Sequence, residues 1–207
     1  MKTCDLLFDL GGVIMDIRRE NAVEALAALG MRDAGSFLGD YEQKGPFLAL
    51  ERGDIGAPEF RREMRRYFDR EVTDAELDAA FMRFLTGIPV ERLRRLEQLR
   101  RHHRVFMLSN TNPIMWRGRI ADEFRKDGHD RDYYFDGCVA SFDVHAYKPD
   151  PEIFRIACER YGLDPATTVF FDDSQANCDA AAALGFRTRH IAGDNDFMTA
   201  TREFVDA

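Results

Sequence analysis

The chain of 207 residues predicts an α/β fold, and three observations carry that prediction. Short β-like runs alternate with helical patterns through its second half, as in a parallel sheet covered on both faces. A stretch from about residue 20 to 80 repeats apolar residues at helical spacing and shows no β signal. Polar landmarks (Asp9, Ser109-Asn110, Lys148 and Asp172-Asp173) each fall at or past the end of a β-like run, the edge where open sheets bind ligands. Together they describe a Rossmann-like, doubly wound parallel sheet with an inserted small all-helical cap domain. The expected boundaries are 1–16 and 88–207 for the core and 17–87 for the cap.

In chain order, a strand at 6–8 runs into Asp9-Leu10-Gly11-Gly12. Ala22, Leu26 and Leu29, then Phe60, Met64 and Phe68, mark helices in the insert, which Gly30, Gly35, Gly39, Gly45-Pro46 and Gly53 divide into short pieces. Thr73 with Glu76 forms a capping-box pattern that opens a helix expected over 74–86. Gly87-Ile88-Pro89 breaks the pattern. Helices are then expected at 90–102, 114–125, 151–161 and 176–184, with strands at 104–108, 138–141, 168–171 and 187–191. An insert between the first strand and the rest has both stems beside Asp9, so it is expected to act as a lid.

Composition narrows the function. A formal charge of −8 lacks the basic footprint of a nucleic-acid partner, and the arginine-dense segments at 61–66 and 92–104 carry interspersed acids at helical spacing. No apolar stretch reaches membrane-spanning length, and the opening residues do not form a signal peptide, so a cytoplasmic location without membrane partners is expected. Four scattered cysteines with no C-x-x-C pair read as reduced thiols.

The landmarks define a chemistry. A carboxylate ending a buried strand, such as Asp9, can attack phosphorus or ligate a hard cation. Gly11 and Gly12 permit a tight turn whose N–H groups approach an anion. Ser109 offers a hydroxyl to a phosphoryl oxygen, and Asn110 is placed to orient substrate; an N-cap is the plainer use of either. Lys148, in Tyr147-Lys148-Pro149-Asp150-Pro151, brings an ammonium to the same edge. Asp172-Asp173 is the most specific feature, since adjacent carboxylates at a strand end repel unless a cation neutralises them. One is expected to ligate Mg²⁺ while the other holds Lys148, with Asn177 in support. The set predicts Mg²⁺-assisted phosphoryl transfer from a small phosphate ester.

With these residues in view, the chain resembles the haloacid dehalogenase superfamily, in the subclass whose small helical cap follows the first motif. The segments 8–16, 108–112 and 170–173 are similar to those of its bacterial α-glucose-1-phosphate phosphatase branch, and Leu50-Glu51-Arg52-Gly53-Asp54-Ile55 resembles a recurring cap phrase. The resemblance implies Asp9 as nucleophile, Ser109 as phosphate-binding hydroxyl, Lys148 as the family lysine, and Asp9, Asp173 and the Gly11 carbonyl as metal ligands.

One departure matters. Most such phosphatases carry a second Asp two residues after the nucleophile, as general acid to the leaving group, and here that position is Gly11. Such groups contribute about 10²–10⁴-fold in rate. The substitution points to a slow enzyme, to a substrate with a good leaving group such as an anomeric sugar phosphate, or to another acid. Asp16, near the base of the cap, is the sequence candidate. A catalytically weak phosphate-binding scaffold is the competing function. Metal-free 2-haloacid dehalogenation ranks last, because the acidic doublet suits a cation. Phe47 is the cap residue expected to touch substrate. Trp116 is expected to pack, with the substrate entrance as its alternative place.

Overall fold

Side-chain alternation along short strands accounts for the layering of the core. The computed structural model describes residues 4–39, 43–193 and 196–205. Five strands, β1 (Asp5–Phe8), β4 (Arg104–Ser109), β5 (Gly137–Ala140), β6 (Thr168–Asp172) and β7 (Arg187–His190), form one sheet in the order β5-β4-β1-β6-β7. Every pairing in it is parallel. Leu6, Phe8, Met107 and Phe171 pack on one face, where the helix Val90–His102 supplies Leu93, Leu96 and Leu99. Leu7, Phe106, Leu108 and Phe170 pack on the other, against Ile153, Phe154 and Ala157 of the helix Pro151–Tyr161. Successive residues of a strand point to opposite faces, so a strand covered on both sides must be apolar throughout.

The chain builds outward from β1 through β4 to β5, then returns to lay β6 and β7 on the other side of β1. The order therefore reverses at β1, and the crevice at such a switch point opens at the carboxyl ends of the strands. Asp9, Ser109 and Asp172 lie there.

The helical segment contributes Arg19–Ala28, Ala34–Phe37, Pro46–Glu51, Ala57–Met64 and Asp74–Met82. Its centre is aromatic. Phe47 is wholly buried, with ring centroids 5.1 Å from Phe60 and 4.8 Å from Phe81. The Thr73 capping box forms as expected: Glu76 N–H donates to Thr73 Oγ1 at 3.2 Å, and Thr73 N–H to Glu76 Oε2 at 2.8 Å.

Two expectations from helical spacing require correction. The helix expected to reach 86 ends at Met82, because Leu85–Gly87 forms strand β3, antiparallel to β2 (Asp16–Ile17). Strands of two and three residues leave no period to read. The helix expected over 114–125 is two, Pro113–Arg117 and Arg119–Arg125. Gly118 separates them in a non-helical conformation, and a Cβ there would lie 3.0 Å from both the Ile114 carbonyl and Met82 Sδ. A side chain at that point would crowd Met82 of the helical segment.

No helix among the described residues is long and apolar enough to cross a membrane. Among the described residues no disulfide joins the four cysteines.

Candidate active site

The backbone first brings the carboxylates together. Asp9 N–H continues the sheet ladder by donating to the Phe171 carbonyl at 2.8 Å, which sets Asp9 beside the end of β6. The loop after Asp9 is closed by Ile14 N–H to Leu10 O and Gly12 N–H to Met15 O, both 2.9 Å. Gly12 has φ +74°, and a Cβ on it would lie 2.1 Å from Asp173 Oδ2. Any side chain at 12 displaces that carboxylate. The Asp173 carbonyl is held from below by His190 Nε2 at 2.9 Å.

Lys148, 1% exposed, sits at the centre. Its Nζ lies 2.7 Å from Asp9 Oδ1 and 2.7 Å from Asp172 Oδ2. Fully buried Asp172 completes its bonding through Oδ1, which accepts from Ser174 N–H at 2.8 Å and Asn177 Nδ2 at 3.0 Å. Asp172 therefore bonds Lys148 directly, and Asn177 holds Asp172. Asn110 bonds Lys148 through the backbone. Its Nδ2 donates to the Lys148 carbonyl at 2.9 Å, and its Oδ1 accepts from Lys148 N–H at 2.8 Å. That side chain positions Lys148, and its amide is already committed on both sides. Ser109 is buried, and its hydroxyl makes a long 3.5 Å contact with the Asn110 carbonyl. The N-cap of the helix that follows is Asn112, which leaves Ser109 facing the crevice.

Three carboxylates surround one ammonium. Burial pushes the Asp9 carboxyl up to about 8; Lys148 opposes the rise, and Asp172 and Asp173 add to it. Burial, then Asp172, raises Asp173 to about 6. Burial disfavours the Lys148 charge, but Asp172 and Asp9 outweigh it and hold the ammonium above its ordinary value. Oxygens of Asp9, Asp172 and Asp173 lie within 4.8 Å of one another. With Lys148 counted, the cluster still carries about two uncompensated charges when ionised. An all-oxygen donor set with that deficit fits a hard divalent cation.

One crevice gathers Asp9, Gly11, Ser109, Asn110, Lys148, Asp173 and Asn177. Asp16 lies outside it. Residues alternate along β2, so Ile17 turns into the crevice while Asp16 faces solvent, 2.7 Å from Arg92 Nη1. Ile17 also takes up the space beside Gly11, with Cγ2 3.4 Å from where a Cβ would stand. Phe47 is absent from the crevice lining because the cap core consumes it; Phe81 and Phe84 form the apolar wall instead. Trp116 lies in a separate surface groove beneath Arg131, whose guanidinium carbon is 3.8 Å from its ring centroid.

Sequence reasoning missed Glu51 as a site residue. It is 6% exposed, lines the crevice, and accepts from Tyr147 Oη at 3.1 Å. Burial raises its carboxyl to about 7, against the lowering effect of Tyr147 and Asn112. The available signal was its place on the apolar stripe of Phe47 and Leu50, at i+4 and i+1, where an acid needs a reason.

A five-stranded parallel sheet reversing at β1, with an aspartate, a lysine and an acidic pair at that reversal, defines a class of hydrolase. The chain belongs to the haloacid dehalogenase-like hydrolase family, whose model matches residues 6–185. It is 36% identical over 184 residues to the D-ribitol-5-phosphate phosphatase of Bacteroides thetaiotaomicron, covering 89% of each chain. A HAD family enzyme of Bacteroides thetaiotaomicron, solved in complex with magnesium and inorganic phosphate, superposes with a TM-score of 0.87 at 36% identity, covering 94% of this chain and 96% of the other. A HAD-like family hydrolase from Porphyromonas gingivalis gives 0.90 at 33% identity over the whole of both chains.

Proposed function

We propose that the protein is a Mg²⁺-dependent phosphatase of small phosphomonoesters, of the sugar- or polyol-phosphate class, working through an aspartyl-phosphate. One observation carries the reading: Asp9 Oδ1 is fixed 2.7 Å from the buried Lys148 ammonium at the mouth of the sheet, with Asp173 beside it. Asp9 is the nucleophile. Lys148 orients it and counters the charge of the transferring group, while Asp172, Asn177 and Asn110 hold Lys148 in place. Ser109 supplies a hydroxyl to a phosphoryl oxygen.

Asp9, Asp173 and the Gly11 carbonyl would hold Mg²⁺. Bound there, the ion supplies positive charge to the nucleophile and the phosphoryl oxygens. Residues 17–87 form the cap over a core of 1–16 and 88–207, and the substrate's organic part sits in the part of the crevice lined by Glu51, Gln43, Tyr147, Phe81 and Phe84. The relative named for D-ribitol-5-phosphate supports a polyol in that space. Four cysteines without a disulfide suit a cytoplasmic setting.

The test is hydrolysis of p-nitrophenyl phosphate and a panel of sugar and polyol phosphates, in Mg²⁺ and in EDTA. Mg²⁺-dependent turnover that Asp9→Asn lowers by about 10³-fold or more is the expected result. No hydrolysis of any member in Mg²⁺ would leave the phosphate-binding scaffold as the function.

A further inference from the structure

We propose that Glu51, reaching the crevice from the cap, is the catalytic acid that protonates the departing ester oxygen. The inference rests on the phosphatase reading above and deepens it.

The need comes from leaving-group chemistry. A sugar or polyol alkoxide leaves poorly unless a proton reaches it as the P–O bond breaks, and position 11 offers no side chain to deliver one. The crevice lining holds five titratable side chains: Asp9, Glu51, Tyr147, Lys148 and Asp173. Asp9 and Lys148 are paired with each other, and Asp173 belongs to the acidic cluster. Tyr147 donates its hydroxyl proton to Glu51. Glu51 is the remaining carboxyl, and among the described residues no ion pair joins it to a cation.

Its surroundings suit a proton donor. Glu51 ends the helix Pro46–Glu51, and its carbonyl accepts from Ser141 Oγ of the core at 2.6 Å, which ties this corner of the cap to the sheet side. Gly53, two residues on, has φ +73°, and a Cβ there would lie 2.3 Å from the Phe142 carbonyl. The carboxyl is therefore delivered by a turn pressed against the core. Among the described residues His145 faces this turn, its Nδ1 2.9 Å from where a Cβ on Gly53 would stand. Arg52 stacks over the Tyr147 ring at 5.8 Å, while Lys148, Asp9 and Asp173 share the crevice lining. Burial raises the acid to about 7, so a large fraction is protonated at neutral pH. A general acid is most effective when its pKa lies near the working pH.

The step balances. Asp9 Oδ attacks phosphorus, the bond from phosphorus to the ester oxygen breaks, and the Glu51 proton passes to that oxygen. The products are the free alcohol, an aspartyl-phosphate and a Glu51 carboxylate. Water then attacks the phosphorus of the aspartyl-phosphate, its proton returns to Glu51, and inorganic phosphate departs with Asp9 regenerated.

The experiment compares kcat/KM for Glu51→Gln and wild type on two substrates, the best alkyl phosphate of the panel and p-nitrophenyl phosphate, whose leaving group needs little protonation. The expected loss is about 10²-fold or more on the alkyl ester, and at least tenfold smaller on the aryl ester. Equal losses on both, in a variant that unfolds at the wild-type temperature, would reduce Glu51 to a structural link between cap and core and overturn the proposal. Should Glu51→Gln fold poorly, the same ratio is read in Glu51→Asp, where withdrawal of the acid by one methylene is expected to penalise the alkyl ester selectively and an unchanged ratio would refute the idea. Wild-type inactivity on both substrates would instead refute the phosphatase reading itself.

Discussion

Removing one negative charge from the acidic cluster should stabilise the metal-free protein while abolishing its response to Mg²⁺. Asp173→Asn is the cleanest such change, since Asp172 bonds Lys148 directly and Asp9 touches the same ammonium. Burial and Asp172 raise the Asp173 carboxyl from 3.8 to about 6 in the folded chain. A folded-state pKa above the unfolded value means that ionisation penalises folding: the penalty is absent below about 3.8, grows through the interval, and is complete above about 6. At about 1.4 kcal/mol per pK unit it reaches at most about 3 kcal/mol. Solvent reaches part of the side chain, which lowers the expectation to about 1–3 kcal/mol. For a domain of this size that corresponds to roughly 2–12 °C in melting temperature. Thermal unfolding in EDTA at pH 8 should show the variant melting higher than wild type by that margin, and the difference should vanish at pH 4. In Mg²⁺ the wild type should recover the deficit and the variant should gain little, because ligand that binds the native state alone stabilises it. An Asn variant that melts at or below wild type in EDTA at pH 8 would refute the view that these carboxylates repel one another without a cation.

Three further outcomes follow from the same geometry. Lys148→Met strands buried Asp172 without its ion-pair partner and should cost about 3–5 kcal/mol in urea unfolding at pH 7, with activity lost at any Mg²⁺ concentration. Gly12→Ala forces a Cβ to within 2.1 Å of Asp173 Oδ2 at φ +74°, so calorimetry should show at least a roughly tenfold weaker Mg²⁺ affinity in a chain that still folds. Asp16→Asn removes an exposed partner of Arg92 outside the crevice; kcat/KM and its pH profile should stay within about twofold of wild type, and a larger loss would restore Asp16 as the acid.

The sheet-edge half of the site was readable because strand ends announce themselves. An apolar run that stops at a carboxylate states both the element and the side chain's position. Asp9, Ser109 and Asp173 share one crevice for that reason, and Lys148, eight residues past the end of β5, joins them from the loop. The cap-side half was not readable. Asp16 attracted attention by nearness along the chain, but the two-residue strand β2 gives each residue the opposite side, and Ile17 took the inward one. Glu51 lay hidden in a helical stripe, 42 positions after Asp9, and packing of the cap turn on Phe142 and Ser141 brings it to the crevice. Phe47 shows the opposite error: an aromatic in the cap that the cap's own core absorbed.

From the residue order alone came the alternation of strands and helices, the parallel sheet, the helical insert and the reactive edge, because hydrophobic period and strand-end chemistry are local properties of the chain. Tertiary packing alone decided which cap side chain reaches the crevice, where the long helices break, and how high the buried carboxyls rise. Those depend on distances between segments remote in sequence and on the water excluded between them, and no short stretch of residues encodes either.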